Sequence, residues 1–404
     1  MMGERPLRVC VISPGELPVP ATKGGAIETL IMSLVKCNEA ERRMKLTVAS
    51  VADDEAQALA SRYPGTEFRY FKRSPRIIEL VYHYWQAVWK RLFPSSHIMS
   101  SLFYRKVLQS IRGEEYDAVV FEGGESYGFK AYGKVFHGRL WYHVHATPEW
   151  RTPSATFNDV MAISSFVADR WRHWCTDRRQ RIHVLYNGVD TSRFGKSLAT
   201  VEAKKLREGL GFSTEDFIVL FCGRLFSGKG VKELVRAIAS IRDPRVKLLV
   251  VGYAHDDDAR HYEKELKAIA EMVPGRVRFT GYVPNDEVWK YYRIADIQTV
   301  PSTWEEGAGN ICIEGMAAGL PIVATRSGGM PEYLDERCSV LVDRKCDLPA
   351  ELAEAIIGLK NDPERRARMG ESARVRAERF SEQAYYRSYV DLLAQNLSSK
   401  GEES

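Results

Sequence analysis

Residues 301–331 read PSTWEEGAGNICIEGMAAGLPIVATRSGGMP and set two carboxylates, Glu306 and Glu314, around a glycine-rich turn that leads into a predicted helix. On one continuous helix, the eight steps between them would span about 12 Å along the axis and roughly 80° around it, too far to share a small ligand. Gly307 and Gly309 remove that obstacle. With Ala308 between them they let Glu306 stand in a loop and Glu314 in the first turns of a helix, both facing one cleft. The amides of Asn310 and Ile311 then point at the ligand, as helix N-termini do toward phosphate. The combination reads as a site for a sugar nucleotide. A Glu-x7-Glu spacing is cheap in a chain that is 27% charged, so context must carry the reading. IQTVPS before it reads as a buried strand, ICIEGMAAG as a helix packed closely through small residues, and PIVAT as the next strand. This is the order in which α/β sheets bind ligands at the carboxyl ends of their strands.

Further groups fit the same chemistry. In FCGRLFSGKGVKEL, Arg224 follows a strand and Lys229, between Gly228 and Gly230, precedes a helix. Two fixed cations beside a helix N-terminus suit a diphosphate leaving group. The spacing is not that of a Walker loop. Near the N-terminus, SPGELPVPATKGGAIETL places Gly24 and Gly25 before an apolar-periodic helix, where backbone can approach a ligand closely or simply turn tightly. The strand LWYHVHA carries His143 and His145 on one side. His145, nearer the carboxyl end, is the better candidate to meet a ligand, and His143 reads as a packed supporting group. No third metal donor is identifiable, so no metal site is expected. Asp256 and Asp258 in YAHDDDARHYE form an Asp-x-Asp pattern, read as a solvated acidic loop at a helix N-terminus.

The elements that must position these groups alternate short β-branched runs with helical patterns, which implies parallel sheets covered by helices. RVCVIS, KLTVASV, DAVVFEG, LWYHVHA, VMAIS and IHVLYN read as strands of a first sheet. FIVLFCG, VKLLVVG, VRFTGYV, IQTVPS, PIVAT and SVLVD read as strands of a second. The polar stretch 190–206 reads as a linker. Beyond residue 347 the chain reads as helices, with a disordered polar tail SSKGEES. The fold class is thus α/β, with two Rossmann-like domains facing each other across a cleft: 1–190, 206–380, and a C-terminal helix at 381–397.

A length of 404 residues suits two domains, and 45% hydrophobic residues mark the chain as globular. The 58 Lys and Arg exceed the 53 Asp and Glu by five, too mild an excess to argue for nucleic acid. Seven scattered cysteines without a Cys-x2-Cys pair indicate neither a disulfide framework nor a zinc site and fit a reducing cytoplasm. The N-terminus enters a strand without a long apolar run, so neither signal peptide nor spanning helix is expected. Residues 72–113 are strongly basic, with Trp85, Trp89, Tyr82, Tyr84 and Phe93 interleaved. Cationic, aromatic-rich amphipathic segments lie at anionic membrane surfaces, which nominates Trp85, Trp89, Lys90, Arg91, Arg105 and Lys106 for membrane or acceptor contact. A core helix and a partner-binding helix are the alternatives.

In their order and spacing, KGGAIETL, the strand ending in His145, YNGVD at 186–190, GRLFSGKGV, FTGYVPNDE and PSTWEEGAGNICIEGMAAGLPIVAT followed by GGMPE make the chain resemble retaining glycosyltransferases of the GT-B fold, glycosyltransferase family 4. The resemblance implies that Glu314 hydrogen-bonds ribose hydroxyls and that Glu306 and the following amides contact the transferred sugar. Arg224 and Lys229 would neutralise the diphosphate, and His145 would lie beside the donor sugar. Gly24 and Gly25 would border the phosphates and acceptor, and the backbone of Val283 would meet the base. It also implies a nucleoside diphosphate sugar as co-substrate, no other cofactor, no bound metal, and same-face attack without a carboxylate nucleophile. A glycan or lipid-linked glycan acceptor at the cytoplasmic membrane face fits. Two departures stand out: Glu306-Gly307-Ala308-Gly309-Asn310 replaces the common Glu-Pro-Phe-Gly-Leu, and Glu122 stands where relatives often have histidine. Rival readings are a nucleotide-sugar epimerase on the same fold and a non-catalytic sugar-nucleotide or glycan-binding protein.

Overall fold

A computed structural model describes residues 5–92, 101–125, 128–148, 156–175, 179–254 and 256–402. They divide into two units, Met1–Gly188 with Glu382–Ser404, and Val189–Ser381. The first is built on seven strands: β1 (Leu7–Ile12), β2 (Met44–Val51), β3 (Thr66–Phe71), β4 (Ala118–Glu122), β5 (Leu140–Val144), β6 (Asp159–Ala162) and β7 (Arg181–Val184). They form one parallel sheet in the order β3-β2-β1-β4-β5-β6-β7. Its central strands are buried on both faces, which is why LRVCVI and AVVFE read as continuous apolar runs and not as alternating ones. β3 escapes the sequence reading because TEFRYF is an edge strand, half exposed, with Glu67 and Arg69 on its wet side.

The C-terminal helix Glu382–Glu402 belongs to this first unit. Tyr385, Tyr386, Tyr389, Val390 and Leu393 join Val9, Trp141 and Met161 in its core. Polar bonds set its register on the helix Ala26–Glu41: the Tyr386 hydroxyl donates to Asn38 Oδ1 at 2.8 Å, and the Ser33 hydroxyl donates to Glu382 Oε1 at 2.6 Å. The tail expected to be disordered continues this helix through Glu402.

The second unit carries β8 (Phe217–Cys222), β9 (Val246–Val251), β10 (Val277–Phe279), β11 (Ile297–Val300), β12 (Ile322–Thr325) and β13 (Ser339–Val342), the six strands read from sequence. They too are parallel, in the order β10-β9-β8-β11-β12-β13. The stretch expected to be an irregular linker instead forms the helices Thr191–Phe194 and Thr200–Gly209 in this unit. Asp190 caps the first by accepting from the Arg193 amide at 3.1 Å.

Both sheets reverse direction of winding beside their first strand, β1 against β4 and β8 against β11. Ligand crevices open at the carboxyl ends of strands at such a point. In the second unit this places the β8 loop next to the β11 loop, and Gly230 is what lets them touch. Its φ is +68°, and a Cβ there would lie 1.9 Å from the carbonyl oxygen of Pro301. Gly230→Ala should therefore destabilise the second unit by at least ~1–2 kcal/mol. A denaturant midpoint equal to wild type would show that the loops do not depend on this approach.

Candidate functional site

The β8 loop and the β11 loop meet through an ion pair. Lys229 Nζ lies 2.7 Å from Glu306 Oε1, and both side chains are largely buried. The same oxygen accepts from the Ser302 hydroxyl at 2.5 Å, and Ser302 is fully buried. The β12 loop, carrying the GGMP motif, supports this arrangement from behind. The Glu306 amide donates to Ser327 Oγ at 3.2 Å, and the Gly329 amide donates to the Glu306 carbonyl at 2.8 Å. Glu305 is held by the Gly328 amide at 2.8 Å and by Arg344. Gly328 has φ +50°, and a Cβ there would strike the Glu306 carbonyl oxygen at 2.0 Å.

Arg224 is exposed, with its guanidinium 5.7 Å from the centre of the Phe226 ring. Phe226 meets Trp304 edge-on at 5.0 Å, and Lys229 Nζ lies 5.5 Å from the Trp304 ring. Sequence reasoning missed both aromatics, as well as Ser302, Ser327 and Arg344. Trp304 stood inside the quoted motif, adjacent to the two glutamates, but a single aromatic in a loop carries no spacing signal.

Glu314 lies in the helix Asn310–Ala318, whose N-cap Gly309 offers no side-chain cap. Gln298 of β11 fixes that helix by donating to the Ile311 carbonyl at 3.0 Å. Gly315 makes room, since a Cβ there would lie 1.8 Å from Gln298 Oε1. Glu314 Oε2 accepts from the Tyr292 hydroxyl at 2.7 Å. Burial pushes the Glu314 carboxyl above its ordinary value, and the Tyr292 bond offsets this only in part. Gly307 and Ala308 occupy the turn between the two glutamates. Val283 lies beyond β10, beside Tyr282, whose ring meets Tyr253 edge-on at 5.0 Å. Asp256 is a helix cap: its carboxylate accepts from the Ala259 amide at 2.8 Å.

In the first unit, Gly24 and Gly25 precede the helix Ala26–Glu41 with φ +76° and +100°. A Cβ on Gly25 would lie 2.0 Å from Glu28 Oε2. At the carboxyl end of β5 the structure corrects the sequence reading, which found no third group beside the histidines. Glu122, the last residue of β4, is paired in register with His143. Its Oε2 lies 2.8 Å from His143 Nδ1 and 2.8 Å from His145 Nε2. Among the described residues this is a set of three metal-type donors, within 4.8 Å of one another, and the facing atoms are already hydrogen-bonded to each other. Burial alone would raise the Glu122 carboxyl. Attraction to His143 and the bonds from both rings outweigh it and hold the group well below the usual carboxylate range. Burial, with the nearby His143, pushes His145 down to about 4 despite Glu122.

The aromatic helix Arg76–Leu92 is not core. None of its described side chains is buried, and Ile77, Leu80, Tyr84 and Leu92 are 77%, 71%, 69% and 65% exposed. Trp85 and Trp89 line a groove with Ile78, Val81 and Tyr82. Arg105 lies 5.9 Å from the Tyr82 ring. Lys106 donates to the Lys72 carbonyl at 2.8 Å and to Ser74 Oγ at 3.0 Å, so its ammonium ties down the loop before the helix. Arg91 is exposed, whereas the side chain of Lys90 and all of Phe93 lie outside the described residues. No helix of the described residues is long and apolar enough to cross a membrane.

Residues 202–376 match the family model described as Glycosyl transferases group 1. Spore coat protein SA of Bacillus subtilis is 25% identical over 381 residues, covering 92% of this chain and 95% of that protein. D-inositol 3-phosphate glycosyltransferase of Corynebacterium glutamicum is 34% identical over 237 residues, covering 55% of this chain and 54% of its own length. The crystal structure of Anabaena HepE in complex with UDP superposes with a TM-score of 0.72 at 21% identity, covering 96% of this chain and all of that one. Two parallel-sheet α/β units, the loop clamp at the β8 and β11 ends and the match over the second unit agree: residues 202–376 form a glycosyl transferases group 1 domain, and the chain is a glycosyltransferase of that group with the GT-B fold.

Proposed function

We propose that the chain is a retaining, metal-independent family 4 enzyme that moves a sugar from a nucleoside diphosphate sugar to a glycan or lipid-linked glycan acceptor at the cytoplasmic face of a membrane. The observation that carries this reading is the Lys229–Glu306 pair at the switch point of the second sheet, with Arg224 beside it. Similarity to a structure determined with UDP supports a uridine or related donor. Breaking the anomeric bond builds negative charge on the departing diphosphate, and cations fixed there stabilise the transition state more than the ground state. An ammonium has three donors, so Lys229 can keep Glu306 and still meet a phosphate oxygen. Glu306 Oε1, bonded to Lys229 and Ser302, is suited to positioning the sugar and poorly suited to nucleophilic attack. In this reading Glu314 accepts from ribose hydroxyls, the amides after Gly309 face the donor, Val283 borders the base, and His145 with Gly24 and Gly25 serves the sugar and acceptor side.

Lys229→Ala and Glu314→Ala are expected to lower kcat/KM for transfer by about 100-fold or more, the scale for removing one transition-state donor. Unchanged transfer on a donor panel would sink the assignments. Because Glu314 is held above its ordinary value, affinity for a nucleoside diphosphate sugar should weaken as pH falls, beginning above the usual carboxylate range, and Glu314→Gln should abolish that limb. Titration calorimetry between pH 8 and pH 5 reads this out; an affinity independent of pH in the wild type counts against the role.

The helix Arg76–Leu92 supports the membrane part. Its apolar half is exposed, while Arg76, Lys90 and Arg91 punctuate the other half, the composition of an in-plane anchor at an anionic surface. Vesicles rich in phosphatidylglycerol should float the protein at low salt, less so at high salt, and not at all with Leu80→Glu and Tyr84→Glu combined. Absence of flotation by wild type would remove the membrane contact and leave the transfer reading standing.

A further inference from the structure

Glu122 sits where three elements of the first unit converge on one carboxylate. It ends β4, fully buried, and its Oε2 faces His143 Nδ1 and His145 Nε2 at 2.8 Å each. Its other oxygen lies 3.4 Å from the hydroxyl of Tyr389 on the C-terminal helix. The imidazoles are 4.1 Å apart, and Tyr385 stacks on His143 from the same helix at 6.5 Å. A carboxylate without a proton can only accept, so both facing ring nitrogens must carry hydrogen. For a neutral His145 that leaves one tautomer, with the proton on Nε2 and a bare lone pair on Nδ1.

We propose that Glu122 is the positioning residue for His145: it fixes the Nε2–H tautomer and the ring plane, so that Nδ1 is presented as the acceptor for a hydroxyl of the transferred sugar or the acceptor glycan. What Nδ1 meets rests on the glycosyltransferase reading above; the tautomer does not. The burial of His145, which keeps its ring neutral near pH 7, supports this assignment. So does the low-lying Glu122 carboxyl, held ionised by the two histidines. The departure at Glu122 thus acquires a role: it acts through a histidine and touches no substrate itself. The Tyr389 contact makes the C-terminal helix part of the same support.

The test uses full-length protein labelled with 15N-histidine at pH 7, with His145 assigned by the resonance lost in His145→Gln. Wild type should show a protonated Nε2 and an unprotonated Nδ1 at His145. An Nδ1–H tautomer or an imidazolium would overturn the proposal, whether or not any Glu122 variant folds. In Glu122→Gln, whose amide can donate as well as accept, the His145 signals should move toward a tautomer mixture. Its kcat should fall about 10- to 100-fold with the donor KM little changed. Wild-type signals and kcat in that variant would also overturn it. Failure of wild-type protein to transfer any sugar, with the expected spectrum intact, would count against the glycosyltransferase reading and support the fixed tautomer.

Discussion

Parallel pairing is the constraint from which the rest of this molecule follows. Every neighbouring strand pair in both sheets runs the same way, so each strand must be reached by a crossover and both sheet faces must be covered by helices. All carboxyl ends in a sheet then lie along one edge, and loops far apart in sequence become neighbours. Lys229 and Glu306 are 77 residues apart yet bonded, because β8 and β11 are adjacent. Glu122 and His145 meet because β4 and β5 are adjacent.

Within that frame, three glutamates of the same intrinsic chemistry take different characters. Glu306 faces an ammonium and a buried hydroxyl; Glu314 faces a tyrosine hydroxyl and little else; Glu122 faces two imidazoles. Removing a carboxylate from water is costly unless donors replace the lost solvent. The number and charge of those donors decide whether the group stays readily ionised. Glu122 is driven down and Glu314 up, although Glu122 is the more deeply enclosed. Burial alone therefore does not rank them.

The loop that joins the two glutamates of the second unit is shaped by what it cannot contain. Gly230, Gly315 and Gly328 each sit where a Cβ would enter an atom of the neighbouring loop or strand, at 1.9, 1.8 and 2.0 Å. These contacts bring the β8, β11 and β12 loops within hydrogen-bond reach. The aromatic pair Phe226 and Trp304 then covers the clamp from the other side.

Much of this was legible in the chain before any coordinates. Apolar runs such as FIVLFC, VKLLVV and IVAT could only be buried parallel strands, and the motif of residues 301–331 announced its own strand, turn and helix, because those signals are local. Where the signal was weak, at an edge strand like TEFRYF or in a short capped helix after Asp190, reading failed. Burial of one face, or one capping bond, leaves little trace in composition. The partnerships needed the tertiary structure. That Lys229 is tied to Glu306, that Glu122 joins the two histidines, and that the aromatic helix Arg76–Leu92 stays outside the core all depend on which strands and helices become neighbours. Sequence determined the elements and the chemical types at their ends; adjacency across the sheet, a long-range property of chain topology, decided which of those groups face one another.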